Sequence, residues 1–262
     1  MTPTYDRKVL VDNVALNSAS FFVVDQVRLD QIAEKEITTT KRANTHGEYV
    51  LGSTYGSKPV YLSGHFEAPQ RWDYEVGRDQ LMAMLNASRT AIITVEQSGE
   101  LRRFEGMYER ARFDYKERGF VMVDIEFKIT SSYGESVATS KPVDGFVYTD
   151  VFDKRFFVDG STNTSPIITC AFEAIQPVSK AIKIGFIIQS NGIRQHIDIE
   201  RLWGQSDTLV IDAKRQEVRV NGAMVQYSGM LPTFLGDTQV MIIDESVSRR
   251  ARITIEYNNR WL

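Results

Sequence analysis

The 262-residue sequence contains only one cysteine and three histidines. These low counts bear on whether the chain has disulfides or metal sites. Cys170 has no partner for an internal disulfide and no second cysteine for a zinc cluster. Its apolar neighbours in PIITCAF predict a small buried side chain. None of the histidines, His46, His65 and His196, has a second histidine or a cysteine at metal-ligand spacing. We expect no metal site and no cofactor.

Long apolar runs and an excess of basic residues are also missing. No stretch reaches the roughly 18 apolar residues of a membrane-spanning helix, and the opening MTPTYDRKVLVDNVALN has no apolar core of signal-peptide length. We expect a protein that does not span a membrane and is not exported by that route. The 31 Lys and Arg residues against 34 Asp and Glu give a net charge of -3, which argues against a basic footprint for nucleic acid over the whole protein.

Turn signals divide most of the chain into short apolar segments. They recur about every 8 to 12 residues, which is typical of an all-β sandwich or barrel. The clearest strand is FVMVDIEFKIT, in which every second residue from Val121 to Ile129 is apolar. Asn191-Gly192 lies between two apolar segments and predicts a tight β-hairpin. We predict a mainly β protein, whose length suits two domains of about 100 to 150 residues each.

One segment has the period of a helix instead of a strand. In WDYEVGRDQLMAMLN, four apolar residues fall near one side of a 3.6-residue turn: Val76, Leu81, Met84 and Leu85. Asp73 is a plausible N-cap. The pattern predicts a single helix of about ten residues that packs against a sheet.

Two segments lose the apolar periodicity. Residues 28–58 are polar and rich in Thr and Gly, which predicts an extended loop or a projecting hairpin. Within it, EKEITTTKRANTHGEY (residues 34–49) is a candidate for reaching a neighbouring subunit if the chain assembles, and a plain mobile loop is the alternative. Residues 131–142, SSYGESVATSKP, collect Ser, Gly and Pro. We place the domain boundary there, with domains at residues 1–140 and 141–262.

No motif indicates catalysis. LGSTYGSKPV contains glycines and a lysine, but its spacing differs from that of a phosphate-binding loop, and Pro59 prevents the helix that would follow one. The sequence has no G-x-S-x-G elbow and no H-E-x-x-H pair. A glycosidase built on dispersed carboxylates is the remaining enzymatic hypothesis. We assign no catalytic residue and expect a protein that is not an enzyme.

Trp203 is a candidate for ligand binding. It lies in IERLWGQSDT beside Gly204, where an exposed tryptophan on a β-sandwich can stack on a sugar ring. The alternative is that Trp203 closes one end of the sandwich core.

The C-terminal segment ARITIEYNNRWL predicts a final strand. Ile253, Ile255 and Tyr257 alternate with polar residues, and Arg260 and Trp261 follow directly. These five residues are candidates for packing or for an interface. We expect Ile253 and Ile255 to face the core and Trp261 to cover an open end of the sandwich, where burial would contribute about 2 to 3 kcal/mol.

In their order and spacing, these features resemble the distal tail proteins of bacteriophages with long, non-contractile tails. The resemblance covers nearly the whole chain. On the N-terminal side it rests on VLVDNVALNSASFFVVDQV, HGEYVLGSTYGSKPVYLSGHFEA, GRDQLMAMLN and VDIEFKITSSYGES. On the C-terminal side it rests on SPIITCAFE, IKIGFIIQSNGIRQHIDI, DTLVIDAKRQEVRVNGAMVQYSG, LPTFLGD and RITIEYNNRWL.

The resemblance implies an N-terminal tail-tube-like β-sandwich with one α-helix and a C-terminal galectin-like or carbohydrate-module-like β-sandwich. It also implies a hexameric ring at the phage tail tip, made in the cytoplasm of the host bacterium. Such a ring joins the tail-tube protein to the tail-tip protein, carries receptor-binding or tail-fibre proteins in many phages, and lets DNA pass without binding it. The family supplies no catalytic residues.

A carbohydrate-binding β-sandwich that contributes to adsorption on the host surface is the alternative function. The two hypotheses are compatible, because a tail hub can carry a sugar-binding domain. The net charge of -3 suits a ring bore that repels DNA phosphates.

Overall fold

The computed structural model describes residues 9–29, 34–41, 48–86, 90–97, 99–117, 120–148, 152–176, 179–246 and 248–262. The chain divides into two compact units, the first up to Val137 together with Leu262 and the second from Ala138 to Trp261. The domain boundary at 140/141 stays a prediction.

The first unit combines strands with one α-helix and a short 3-10 helix (Leu16–Ser18). Its α-helix is α1 (Arg71–Leu85). Its strands are β1 (Val9–Val11), β2 (Val14–Ala15), β3 (Phe22–Arg28), β4 (Lys35–Lys41), β5 (Glu48–Tyr55), β6 (Lys58–Glu67), β7 (Ala91–Gln97), β8 (Glu100–Glu117), β9 (Phe120–Ile129) and β10 (Gly134–Ser136).

An antiparallel sheet in the order β2-β1-β7-β8-β9-β6-β3 forms the body of the first unit. The long strand β8 pairs with β7 through its first part and with β9 through its second. On β9 the predicted alternation is confirmed, because every second residue from Val121 to Ile129 is buried. The antiparallel strands β8 and β9 are neighbours in the chain, and the residues that connect them, 118–119, lie outside the described residues.

The helix α1 is longer than predicted, and its predicted buried face is confirmed at Leu81 and Leu85, with Met84 partly buried against the core, but not at Val76. It has 15 residues, and Gln70 occupies the N-cap position without a side-chain hydrogen bond, so the assignment of Asp73 as N-cap is wrong. The buried residues are Tyr74, Gly77, Leu81 and Leu85. Val76 is exposed because it lies outside this stripe. At Gly77 a Cβ would come within 2.2 Å of the Ser20 carbonyl oxygen, so glycine permits the close approach of helix and sheet.

The second unit consists of strands, and all of them except the short β22 form two sheets. The strands are β11 (Ser140–Val147), β12 (Asp153–Val158), β13 (Ile167–Gln176), β14 (Ile182–Ser190), β15 (Ile193–Arg201), β16 (Thr208–Asp212), β17 (Glu217–Val220), β18 (Ala223–Met224), β19 (Ser228–Gly229), β20 (Gly236–Asp244), β21 (Ser248–Tyr257) and β22 (Arg260–Trp261). One sheet has the order β11-β21-β13-β16-β17-β18 and the other the order β12-β20-β14-β15-β19. A shared core of aliphatic and aromatic side chains from both sheets makes this unit a β-sandwich.

Local sequence explains the hairpins of the sandwich. Asn191 and Gly192 join β14 to β15 with φ values of 48° and 79°, the left-handed conformations that a type I′ turn requires. The segment 131–142 was predicted to be irregular and is only partly so. It contains the buried strand β10 and the start of β11. Pairing of β10 with β8 stabilises a strand that has no apolar period of its own.

Candidate assembly surfaces

The segment predicted as a loop or projecting hairpin forms a two-stranded sheet. Strands β4 and β5 pair in antiparallel register from Lys35 opposite Tyr55 to Lys41 opposite Glu48. The amide of Gly56 donates a 2.9 Å hydrogen bond to the Glu34 carbonyl and closes the base. The connection at 42–47 lies outside the described residues, as does His46. We refer to residues 34–56 as the hairpin.

The hairpin exposes apolar side chains. Val50 and Leu51 are 67% and 66% exposed, and Ile37 and Tyr49 are also more than half exposed. An isolated two-stranded hairpin is marginally stable in water. Four exposed apolar side chains on one short hairpin are typical of a segment that packs on another molecule.

A charged depression lies on the polar face of the first sheet, over strands β6, β8 and β9. Its volume is about 460 Å³, and it is lined by Arg28, Tyr61, Ser63, Arg110, Arg112, Asp124 and Glu126, with Leu62 and Ile125. Arg110 Nε donates a 2.7 Å hydrogen bond to Glu126 Oε2. Polar and charged groups of this kind are typical of the rim of an interface, where they contribute to orientation more than to affinity.

The second unit buries Trp203, the residue considered for sugar stacking. The side chain is 1% exposed, and its Nε1 donates a 3.1 Å hydrogen bond to the Ile182 carbonyl. Its ring packs on Phe172 at 5.1 Å between centroids. No face of the indole is open to a ligand, so the sugar-stacking interpretation of Trp203 is wrong. The position beside Gly204 indicated a loop, but the depth of the side chain depends on how the two sheets close.

The C-terminal strand lies inside its sheet. β21 is hydrogen-bonded between β11 and β13, and Ile253 and Ile255 are fully buried. Tyr257 is also buried, with its ring 6.0 Å from that of Phe156. Arg260 follows, buried as well.

Arg260 forms hydrogen bonds with residues 161–165, a loop of the same unit. Its carbonyl oxygen accepts hydrogen bonds from the amides of Ser161 and Thr162, at 2.9 Å and 3.3 Å. Its Nη1 lies 3.1 Å from Ser165 Oγ. These contacts give Arg260 a packing role within the unit. Trp261 is partly buried, and the function predicted for it remains a prediction.

Two exposed aromatic residues of the second unit were missed at the level of sequence. Phe146 and Tyr148 lie on and just after the edge strand β11 and are 49% and 57% exposed. The signal was present, because the apolar residues Val143 and Val147 alternate with Asp144, Phe146 and Tyr148. That alternation assigns the aromatic residues to the outer face.

The described part of the chain contains neither a membrane-crossing helix nor a group of metal ligands. No helix in it has the length and hydropathy to cross a membrane. Within the same residues, no three His, Cys, Asp or Glu side chains are grouped so that they could hold a metal ion.

Comparisons with known proteins agree with this architecture. The model of a phage tail protein RIFT-related domain matches residues 13–129, and that of a siphovirus-type tail component, C-terminal domain, matches residues 159–261. The fold is similar to the crystal structure of the SPP1 Dit protein, described as a paradigm of the hub adsorption apparatus in phages that infect Gram-positive bacteria. The TM-score is 0.70 at 12% identity, over 98% of this chain and 99% of that chain. No curated protein matched the sequence.

Two baseplate structures of phage P2, in the activated conformation with Ca and with Sr, are more distant. Their TM-scores are 0.40 and 0.38, at 6% and 7% identity. The matches cover 97% and 94% of this chain and 98% and 97% of those chains.

The fold of the two units and the two domain matches define a structural component of a siphophage tail. The chain belongs to the distal tail (Dit) family of siphophages. Proteins of this family are structural components of the virion tail, and the chain is accordingly not an enzyme.

Proposed function

We propose that the chain is the hub of the tail tip and closes into a hexameric ring through its first unit. The ring joins the tail-tube protein to the tail-tip protein, provides attachment for receptor-binding or tail-fibre proteins, and lets DNA pass through its bore. The SPP1 Dit protein, whose fold is similar, is described as part of a hub adsorption apparatus, and this supports the proposal.

The observation that carries the proposal is the hairpin. Its strands pair only with each other in the described residues, and it exposes Ile37, Tyr49, Val50 and Leu51. Packing these side chains on a second copy would stabilise both the hairpin and the assembly. A contact of this kind joins unlike surfaces of two copies, and such contacts give a closed ring when the rotation between copies closes.

Edge strands provide a second means of assembly. β3 ends the sheet of the first unit among the described strands, and its residue Val23 is exposed. Backbone groups at a sheet edge are a liability in a monomer but can pair with a strand of another chain. The position of β3, directly before the hairpin, supports its participation in the same interface.

The test measures the mass of the purified full-length protein by light scattering over a concentration series, with electron microscopy of the same sample. We expect six times the monomer mass and six-membered rings with a central hole. The double variant Val50→Asp, Leu51→Asp should remain monomeric, because a buried unpaired carboxylate costs several kcal/mol at an apolar contact.

The matched control is the double variant Ile193→Asp, Met230→Asp, which places the same two charges at exposed apolar residues of the second unit. This variant should form rings, and both variants should keep the circular dichroism spectrum of the parent. Rings formed by the hairpin variant would exclude the hairpin as the contact. A wild-type protein that stays monomeric at every concentration, also with purified tail-tube protein, would contradict the hub proposal.

A further inference from the structure

The outer face of the sheet that contains β11 carries the two exposed aromatic residues of an edge strand. Phe146 and Tyr148 are separated by one residue and therefore project from the same face of the chain. Val147, between them, packs on the core. This alternation places the two rings side by side at the edge of a sheet face that is mostly polar.

One arginine contacts both rings. Arg250, on the neighbouring strand β21, has its Cζ 5.3 Å from the centroid of Phe146 and 5.6 Å from that of Tyr148. Its Nε also lies 2.7 Å from Glu173 Oε2 on β13. The guanidinium group is therefore held from two sides, and it restrains the rings by cation–π contact.

Paired charges continue across the same face. Each cation is matched by a carboxylate, and each of these side chains is partly exposed. The pairs are Arg250 with Glu173 at 2.7 Å, Arg252 with Asp144 at 2.9 Å, and Lys141 with Glu256. We call Phe146, Tyr148, Arg250, Arg252, Asp144 and Glu173 the aromatic platform.

The chemistry of the aromatic platform suits a ligand that is uncharged, rich in hydroxyl groups and partly apolar. The matched charges leave no net charge to attract a phosphate or an acidic segment. Guanidinium and carboxylate groups form stronger hydrogen bonds than neutral groups do, as donors and acceptors respectively. Aromatic rings present a face on which the C–H face of a sugar ring can stack.

The pairing of the charged groups also lowers the cost of binding. Arg250 and Arg252 are held by partners before any ligand arrives, so less side-chain freedom is lost on association. About half of each aromatic side chain remains accessible, in contrast to the buried indole of Trp203. We propose that the aromatic platform is a binding site for neutral polysaccharide. The site is a second function that does not depend on ring closure.

The experiment uses the full-length protein and named probes. Binding is measured on a glycan array and, by calorimetry, with maltohexaose, cellohexaose, mannohexaose and chitohexaose. We expect retention of wild-type protein on neutral glycans. For the double variant Phe146→Ala, Tyr148→Ala we expect the affinity to fall about tenfold or more, as for the loss of stacked aromatic contacts in other binding sites.

The control is Phe157→Ala, which removes a 68% exposed aromatic side chain from β12, in the other sheet. It should bind like wild type, and circular dichroism should show that all variants are folded. Equal binding by the double variant and wild type would overturn the proposal, as would retention of wild type on no neutral glycan.

Two further outcomes would also overturn it. Binding confined to anionic glycans and abolished by salt would indicate a charged ligand. If no glycan binds but the double variant fails to enter tails reconstituted from purified tail-tube and tail-tip proteins, the platform docks a protein. Light scattering of the double variant and of the control separates these outcomes from failure of the ring. Neither variant changes the hairpin, so both should assemble like wild type even when glycan binding is lost.

Discussion

Gly77 determines how closely α1 approaches the sheet of the first unit. A Cβ at this position would come within 2.2 Å of the Ser20 carbonyl oxygen and 2.9 Å of the Phe66 ring. The backbone oxygen cannot move without displacing the segment before β3. For Gly77→Ala we therefore expect a loss of about 1 to 3 kcal/mol in the free energy of unfolding.

Denaturant unfolding followed by circular dichroism measures this loss. The control is Gly52→Ala, because a Cβ at Gly52 would meet no atom within 4 Å. An equal effect of the two substitutions would show that close packing at Gly77 is not the cause.

The ionisation of the Cys170 thiol makes the stability of the protein depend on pH in the alkaline range. Burial raises the pKa of its thiol from 9.0 to about 12, with a smaller opposing effect of Arg249. The stability that comes from the raised pKa of Cys170 is complete below pH 9. It is lost as the pH rises towards 12, because in that range the thiol ionises in the unfolded chain but not in the folded one. We expect the melting temperature to fall more steeply above pH 9 in wild type than in Cys170→Ala. Parallel curves would contradict this effect.

The buried thiol should also be unreactive in the native state. A chromogenic disulfide reagent at pH 8 should label Cys170 only after unfolding, because the thiolate is the reactive species and burial disfavours it.

At the scale of elements, the C-terminal segment stabilises the second unit. Removal of residues 260–262 deletes the carbonyl that accepts hydrogen bonds from Ser161 and Thr162. Two amides then lose their partner, at about 1 to 3 kcal/mol for each one left unsatisfied. We expect a clear fall in melting temperature by calorimetry.

Arg260→Ala separates the backbone contribution from that of the side chain. It keeps the backbone carbonyl, so its melting temperature should lie between those of wild type and the truncated chain. An unchanged transition in the truncated protein would indicate that this segment serves assembly and not folding.

At the scale of the whole molecule, the charge balance predicts how an assembled ring treats DNA. With a net charge of -3 per chain, the ring offers DNA no overall electrostatic attraction. We expect no binding of labelled duplex DNA by fluorescence anisotropy at about 50 mM salt, where phosphate contacts are strong. Salt-dependent binding, or a bore lined mainly by Lys and Arg in a structure of the ring, would contradict a repelling bore.

Much of the fold was predictable because its signals are local. The alternation along β9, the Asn191-Gly192 turn and the pairing of Leu209 and Ile211 with Val220 and Val218 follow from side-chain period and turn chemistry. The existence of the helix was also predictable. Its buried stripe was predictable at Leu81 and Leu85 but not at Gly77, because only the neighbouring sheet makes an inward glycine favourable there.

Candidate sites were less predictable than strands. Trp203 and Phe146 are both large aromatic residues near turn signals or strand ends, yet one is buried and the other exposed. The difference arises from where the two sheets close, which depends on residues far apart in the chain. The exposure of the hairpin side chains likewise follows from strand pairing, since among the described strands β4 and β5 pair only with each other, and composition alone did not reveal this.

The sequence by itself determined the mainly β class, most strand faces, the burial of Cys170 and the resemblance to distal tail proteins, because period, turn residues and motif order are properties of neighbouring positions. Only the tertiary structure decided which aromatic residues face solvent, that Gly77 of α1 packs inward and where cations meet carboxylates. These depend on contacts between distant strands, and a side chain can be identified as buried or exposed only when the elements that cover it are in place.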